Sequence, residues 1–233
     1  MAEAEPRLAL LAGASGLVGG YLLDALLDAP EFGRVFAITR RALGREHPRL
    51  ANRIVQFDKL ESQLRGLTCQ VAFCCLGTTI RQAGSREAFR RVDFDYVLAF
   101  AAAAKAAQAQ KFVVVSSVGA DPRAKNFYLR TKGEMESALA AVGFASLDIL
   151  QPSLLLGWRR QMRPTELAAR LLAPVVNPLL FGSREIYRGI SARTVAAAMV
   201  GAARSGRRGA QKYTYSAILA LGKSKPSRAA VSA

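Results

Sequence analysis

A glycine-spaced turn, Gly13-Ala14-Ser15-Gly16-Leu17-Val18-Gly19, stands directly after an apolar run at residues 8–12 and directly before a helix-periodic stretch at residues 17–27. Few chain geometries accept that arrangement. The first glycine lets a strand turn sharply, the second lets a bound group approach the backbone, and the third lets the helix pack close to the strand. The helix start then offers free N–H groups and the positive end of a dipole to a phosphate. A tight turn with no ligand uses glycines in the same way. The strand before and the helix after favour a dinucleotide.

The rest of the chain alternates in the same style. Short apolar runs at residues 35–39, 54–57, 71–76, 112–116 and 147–150 predict parallel strands covered on both faces. Helical periodicity at residues 86–108 and 132–142 falls between them. The expected fold class is α/β, a Rossmann-type doubly wound parallel sheet with right-handed crossovers. A single domain is expected over residues 1–221. Within it, residues 152–204 predict a small, mostly helical C-terminal substrate lobe, with helices at residues 166–173 and 192–203. Residues 222–233 are basic and small, and predict a disordered tail.

Composition narrows the function. The chain has a net charge of +16, and from Gln151 onward 14 Lys/Arg face 2 Asp/Glu, against 19 and 15 in the first 150 residues. A basic C-terminal third suits an anionic partner or a solvated surface, and bulk charge does not choose between them. No recognition helix, zinc finger or aromatic–basic interleaving supports specific nucleic-acid binding. His47 is the one histidine, and Cys69, Cys74 and Cys75 lack metal-ligand spacing, so no metal site is expected. Unpaired cysteines and no signal-peptide pattern predict a cytoplasmic protein. The longest unbroken apolar stretch, residues 97–104, is far short of the roughly 20 residues a bilayer span needs. An apolar block at residues 167–181 is read as core, with a substrate wall or peripheral membrane contact as the alternatives.

The expected second strand ends in Thr39-Arg40-Arg41, with no acidic residue to hold a ribose 2′-hydroxyl. Two guanidiniums suit a 2′-phosphate instead, which favours NADP over NAD. Asp58, after the third strand, suits either the adenine amino group or a helix cap. Leu76, Gly77 and Thr78 follow the fourth strand, where such a sheet meets its cofactor. Cys74 and Cys75 read as buried strand residues.

The fifth strand ends in Ser116-Ser117, and Tyr128-Leu129-Arg130-Thr131-Lys132 follows. Tyr128 and Lys132, at i and i+4, share a helix face. A phenol is a weak acid, and a nearby ammonium stabilises its anion. Tyr128 could then exchange a proton with a substrate oxygen while hydride moves at the nicotinamide, with Lys132 also on the ribose hydroxyls. Ser116 or Ser117 would bond the reacting oxygen, and strand alternation sends the two to opposite faces. A Tyr-x-x-x-Lys pair alone is a common chance match; its context gives it weight.

With these residues in place, the chain resembles the short-chain dehydrogenase/reductase superfamily, in an atypical branch of Tat-interactive-protein-like oxidoreductases. The resemblance rests on residues 13–19, 39–41, 73–79, 91–98, 116–121 and 128–134. It implies bound NADP(H), with Gly13, Ser15, Gly16, Leu17, Val18 and Gly19 around the phosphates, Arg40 and Arg41 at the 2′-phosphate, and Leu76 and Gly77 on the ribose side. It also implies that Leu155 and Arg163 close over the nicotinamide end. The chain departs from the family at Leu17-Val18, where the human-type member is more polar, and at Gln151, where an arginine is usual. The expected function is an NADP-dependent oxidoreductase acting on a small carbonyl or alcohol, as a monomer. An NADP(H)-binding redox sensor or scaffold without turnover is the alternative.

Overall fold

The structure, a computed structural model, describes residues 6–156 and 182–224. Along the first half run β1 (Arg7–Ala12), α1 (Leu17–Asp28), β2 (Phe32–Thr39), β3 (Leu50–Ile54), α2 (Leu60–Gln63), β4 (Val71–Cys74), α3 (Ile80–Ala83) and α4 (Arg86–Arg90). A π-helical turn, Arg91–Asp95, joins α4 to α5 (Tyr96–Ala106). Then come β5 (Lys111–Val115), α6 (Phe127–Ala141), β6 (Ser146–Leu150), β7 (Leu155–Leu156), β8 (Ile190–Ser191), α7 (Ala192–Arg204), β9 (Gly209–Tyr213) and α8 (Tyr215–Lys223).

Seven strands form one parallel sheet in the order β3-β2-β1-β4-β5-β6-β9, and β7 pairs with β8 separately. Strand order reverses between β1 and β4, whose ends lie in register at Ala12 and Cys74. The loops after those two strands therefore part to opposite sides and open a crevice at the carboxyl edge. The doubly wound sheet expected from the sequence is the architecture observed.

Alternation along each strand divides the core. Ala9 and Leu11 of β1 face a cluster containing Leu22 and Leu26 of α1 and Val195 and Met199 of α7. Leu10 and Ala12 face Phe100 of α5, Met135 of α6 and Phe112. Ala9 to Ala12, the last four residues of β1, are fully buried, which is why that part of the strand is apolar at every position.

Four expectations shift. The third strand is Leu50–Ile54, not residues 54–57. It is a sheet edge with half its surface wet, so its polar sequence hides it, while the more apolar Val55 and Phe57 are buried just after it. The opposite edge, β9, reads GAQKY and was missed for the same reason. The sixth helix begins at Phe127, one turn before residues 132–142, because Asn126 caps it by accepting the Leu129 N–H at 3.2 Å. The expected tail from residue 222 starts too early: Gly222 and Lys223 complete α8, which lies so close to α7 that a Cβ at Gly201 would meet the Leu221 carbonyl oxygen at 2.2 Å. Of the expected lobe, residues 157–181 lie outside the described residues, and with them the helix at 166–173 and the block at 167–181. Its other helix, α7, packs as a layer helix against α1.

Candidate active site

Gly13 leaves β1 with φ +86°, and a Cβ there would meet the Cys75 carbonyl oxygen at 2.5 Å. A Cβ on Gly19 would sit 2.0 Å from the Gly13 carbonyl oxygen. These two glycines let the β1 turn, the β4 end and the first turn of α1 meet at backbone distance. The Gly16 N–H donates to the Gly13 carbonyl at 2.9 Å, which closes the turn. Gly16 is the N-cap of α1, and among the described residues no side chain caps that helix. Its first N–H groups are therefore left for solvent or a ligand as far as the described residues go. Ser15 is exposed, Leu17 is half-buried, and Val18 is buried in the core, so Val18 is able to offer a ligand only its backbone.

The cleft is lined by Gly13, Ser15, Gly16, Thr39, Arg40, Phe57, Leu76, Gly77 and Tyr96, among others. The loop after β2 is braced by Asn52 of β3, whose side chain donates to Thr39 Oγ1 at 2.7 Å and accepts the Leu43 N–H at 2.9 Å. Arg40 reaches the cleft wall; Arg41 is exposed beside it. Across the cleft, the Phe57 and Tyr96 rings pack at 5.1 Å, and the Tyr96 hydroxyl donates to Asp58 Oδ2 at 3.4 Å. This aromatic floor under an uncapped helix start fits a nucleotide: base on the rings, phosphates on the N–H groups.

At the β4 end, the chain runs over a buried ion pair. Lys132 Nζ of α6 lies 2.7 Å from Asp93 Oδ1, with side-chain exposures of 4% and 1%. Asp93 sits in the π turn, and its Oδ2 accepts the Thr78 N–H at 2.8 Å. A Cβ on Gly77 would stand 3.4 Å from Asp93 Oδ1 and 3.9 Å from Lys132 Nζ, so the pair lies directly against this stretch of the cleft lining. Burial alone would pull the Lys132 ammonium down, but Asp93, with help from Tyr128, more than offsets it and holds its pKa above the ordinary value. Cys74, fully buried beneath, has its thiol pushed up to about 12 by burial and stays protonated.

Tyr128 is half-buried one helical turn before Lys132, its ring 5.5 Å from that of Phe89. One turn beyond Lys132, the buried Glu136 accepts from the Ser116 hydroxyl, from Gln151 Nε2 at 2.8 and 3.0 Å, and pairs with Lys212 at 2.7 Å. The Ser116 hydroxyl is thus committed to a carboxylate. Ser117 is half-buried, its hydroxyl donating only to the Val118 carbonyl at 3.3 Å.

The tertiary structure brings the glycine turn, Arg40, Leu76 and Gly77 to one cleft, with Lys132 behind Gly77; Thr78 is not in the cleft lining and donates its N–H to Asp93 instead. Asp58 stands at the rim, bonded to Tyr96. Leu155 is in β7, half-buried against the α1 side of the core. Arg163 lies outside the described residues. Four residues with a part here were not singled out from sequence: Asp93, Asn52, Tyr96 and Glu136. Asp93 carried no signal of its own, standing among Arg90, Arg91 and Asp95 in a stretch rich in charge. Asn52 and Glu136 had none, because their partners are distant in the chain.

A family model described as NAD(P)H-binding matches residues 13–205. Protein HTATIP2 of Rattus norvegicus is 41% identical over 162 residues, 68% of this chain and 66% of that protein. The protein named FMP52, mitochondrial, of Saccharomyces cerevisiae is 36% identical over 167 residues, 70% of this chain and 72% of that protein. Among solved structures, MoeE5 in complex with UDP-glucose and NAD superposes with a TM-score of 0.66 at 19% identity, over 88% of this chain and 75% of that one. UDP-glucose 4-epimerase of Thermotoga maritima, with UDP-glucose, gives 0.67 at 13% identity, over 89% and 76%. At such identities the likeness is one of fold.

Proposed function

The chain belongs to the NAD(P)H-binding family, in the atypical short-chain dehydrogenase/reductase branch, and from that premise we propose that it is an NADP-dependent oxidoreductase acting on a small carbonyl or alcohol. The observation that carries this reading is the Lys132 ammonium, buried one turn from Tyr128 and lying against Gly77 of the cleft lining.

Bound NADP(H) would supply or accept the hydride. The N–H groups at the start of α1 would hold its phosphates, and Arg40 and Arg41 would take the 2′-phosphate. An ammonium has three donors. One serves Asp93, which leaves Lys132 two for ribose hydroxyls and for Tyr128. In the reductive direction Tyr128 would give its proton to the carbonyl oxygen, and solvent would reprotonate the phenolate. Ser117 holds the substrate oxygen, since Ser116 is spent on Glu136.

Calorimetric titration with NADPH and NADH tests the cofactor. The natural chain is expected to bind NADPH at least tenfold tighter, with the preference lost in Arg40→Ala/Arg41→Ala. A screen of small aldehydes and ketones then tests turnover, with Tyr128→Phe as the inactive control. Equal affinity for both nucleotides would overturn the NADP assignment. Binding without any Tyr128-dependent turnover would favour a sensor or scaffold.

A further inference from the structure

We propose that Asp93 is a positioning residue that sets the acidity of Tyr128 by cancelling the charge of Lys132. A lone ammonium one helical turn away would stabilise the Tyr128 phenolate, because the ammonium itself is buried and poorly screened by solvent. This ammonium is not alone. Asp93 stands 2.7 Å from it, both side chains nearly fully buried, so the pair presents little net charge to the phenol. Solvent and salt screen a buried pair weakly, so the cancellation persists at physiological ionic strength.

Two features make the arrangement a built one. The π turn Arg91–Asp95 interrupts the long helix where Asp93 turns inward, and such turns recur at functional sites. The second carboxylate oxygen of Asp93 accepts the Thr78 N–H at 2.8 Å, which fixes the carboxylate and ties the strip over Lys132 to the same group. The cost of ordering the cofactor wall and the cost of placing the charge are thereby shared by one side chain.

The other charges around α6 do not take over this role. From β4 comes only Cys74, neutral until about pH 12. On α6 itself, Glu136 is matched by Lys212 of β9, and Glu134 is paired with Arg90 of α4. Lys105 of α5 donates to the Gly143 carbonyl, at the far end of α6. Arg91 and Asp95, either side of Asp93 in the π turn, are both exposed. Asp93 is the buried carboxylate at the Lys132 ammonium.

The consequence for catalysis rests on the reading of Tyr128 as the acid–base group, but the test needs neither cofactor nor substrate, so failure of nucleotide binding and failure of this inference are read separately. Tyrosine ζ-carbon NMR titration of the apo-protein follows each phenol, with the Tyr128 signal assigned by its loss in Tyr128→Phe. Asp93→Asn keeps an acceptor for Thr78 and removes the charge. Its Tyr128 midpoint is expected to fall by about one pH unit or more. An unchanged midpoint would overturn the proposal and leave Asp93 as a structural bracket. If the single variant does not fold, Asp93→Asn/Lys132→Gln carries no unpaired buried charge. Its Tyr128 midpoint is expected to stay at the wild-type value, and a clear rise would show that Lys132 acts uncancelled, against the proposal.

Discussion

Gly19 shows how far a single side chain reaches in this fold. A Cβ there would overlap the Gly13 carbonyl oxygen at 2.0 Å, and that oxygen also closes the turn by accepting the Gly16 N–H. No flexible side chain stands in the way to yield; backbone does. Gly19→Ala is therefore expected to push α1 off β1, lowering the thermal midpoint and weakening NAD(P)H binding more than tenfold, as melting and calorimetry would read. Unaltered binding would remove the turn from the phosphate site. The same scale separates the two serines. From sequence, alternation said only that they diverge; the buried Glu136, twenty residues on in another element, takes Ser116.

At the scale of elements, the π turn and the pinning of α7 stand out. The long apolar periodicity over residues 86–108 was legible as a helix, yet nothing in it marked five residues of wider winding. The helix α7 is anchored at its C-terminal end by the start of the sheet: Arg204 Nε donates to Glu31 Oε1 at 2.6 Å, and Arg7 Nη1 donates to the Ala203 carbonyl at 2.9 Å. Burial works to raise the Glu31 carboxyl, but the bond from Arg204 and the charges of Arg204 and Arg7 outweigh it and hold its pKa below the ordinary value. A depressed carboxylate adds stability above its unfolded pKa and loses it as pH falls through the folded one. Glu31→Gln is expected to cost about 1 kcal/mol at neutral pH, a gap that closes below about pH 4 as the wild-type carboxyl protonates. Denaturant unfolding at pH 7 and pH 3 would show it; a gap independent of pH would mean the contact acts through shape.

Across the whole molecule, the site is held together by contacts between distant parts of the chain. Lys212, on the edge strand β9, reaches the buried Glu136 and so ties the last strand to the helix that carries Tyr128 and Lys132. Lys212→Met leaves that carboxylate with neutral donors only and is expected to cost about 2 kcal/mol. Hydrogen exchange should then quicken at residues 209–213 before the rest of the sheet, and uniform exchange would argue that β9 is held by its ladder alone. The family position of Gln151, read from sequence as an arginine lost, acquires a reason here: the amide and Lys212 together serve the carboxylate. By itself the sequence determined what is local: the glycine turn, the buried strands whose two covered faces favour short apolar runs, and the i, i+4 spacing of Tyr128 and Lys132. Only the tertiary structure decided the wet edge strands, whose polar residues carry no periodic signal, and the partners of the buried charges. Asp93 meets Lys132 across 39 positions and Glu136 meets Lys212 across 76. Charge pairing depends on distance in space, and no pattern along the chain encodes which carboxylate an ammonium will find.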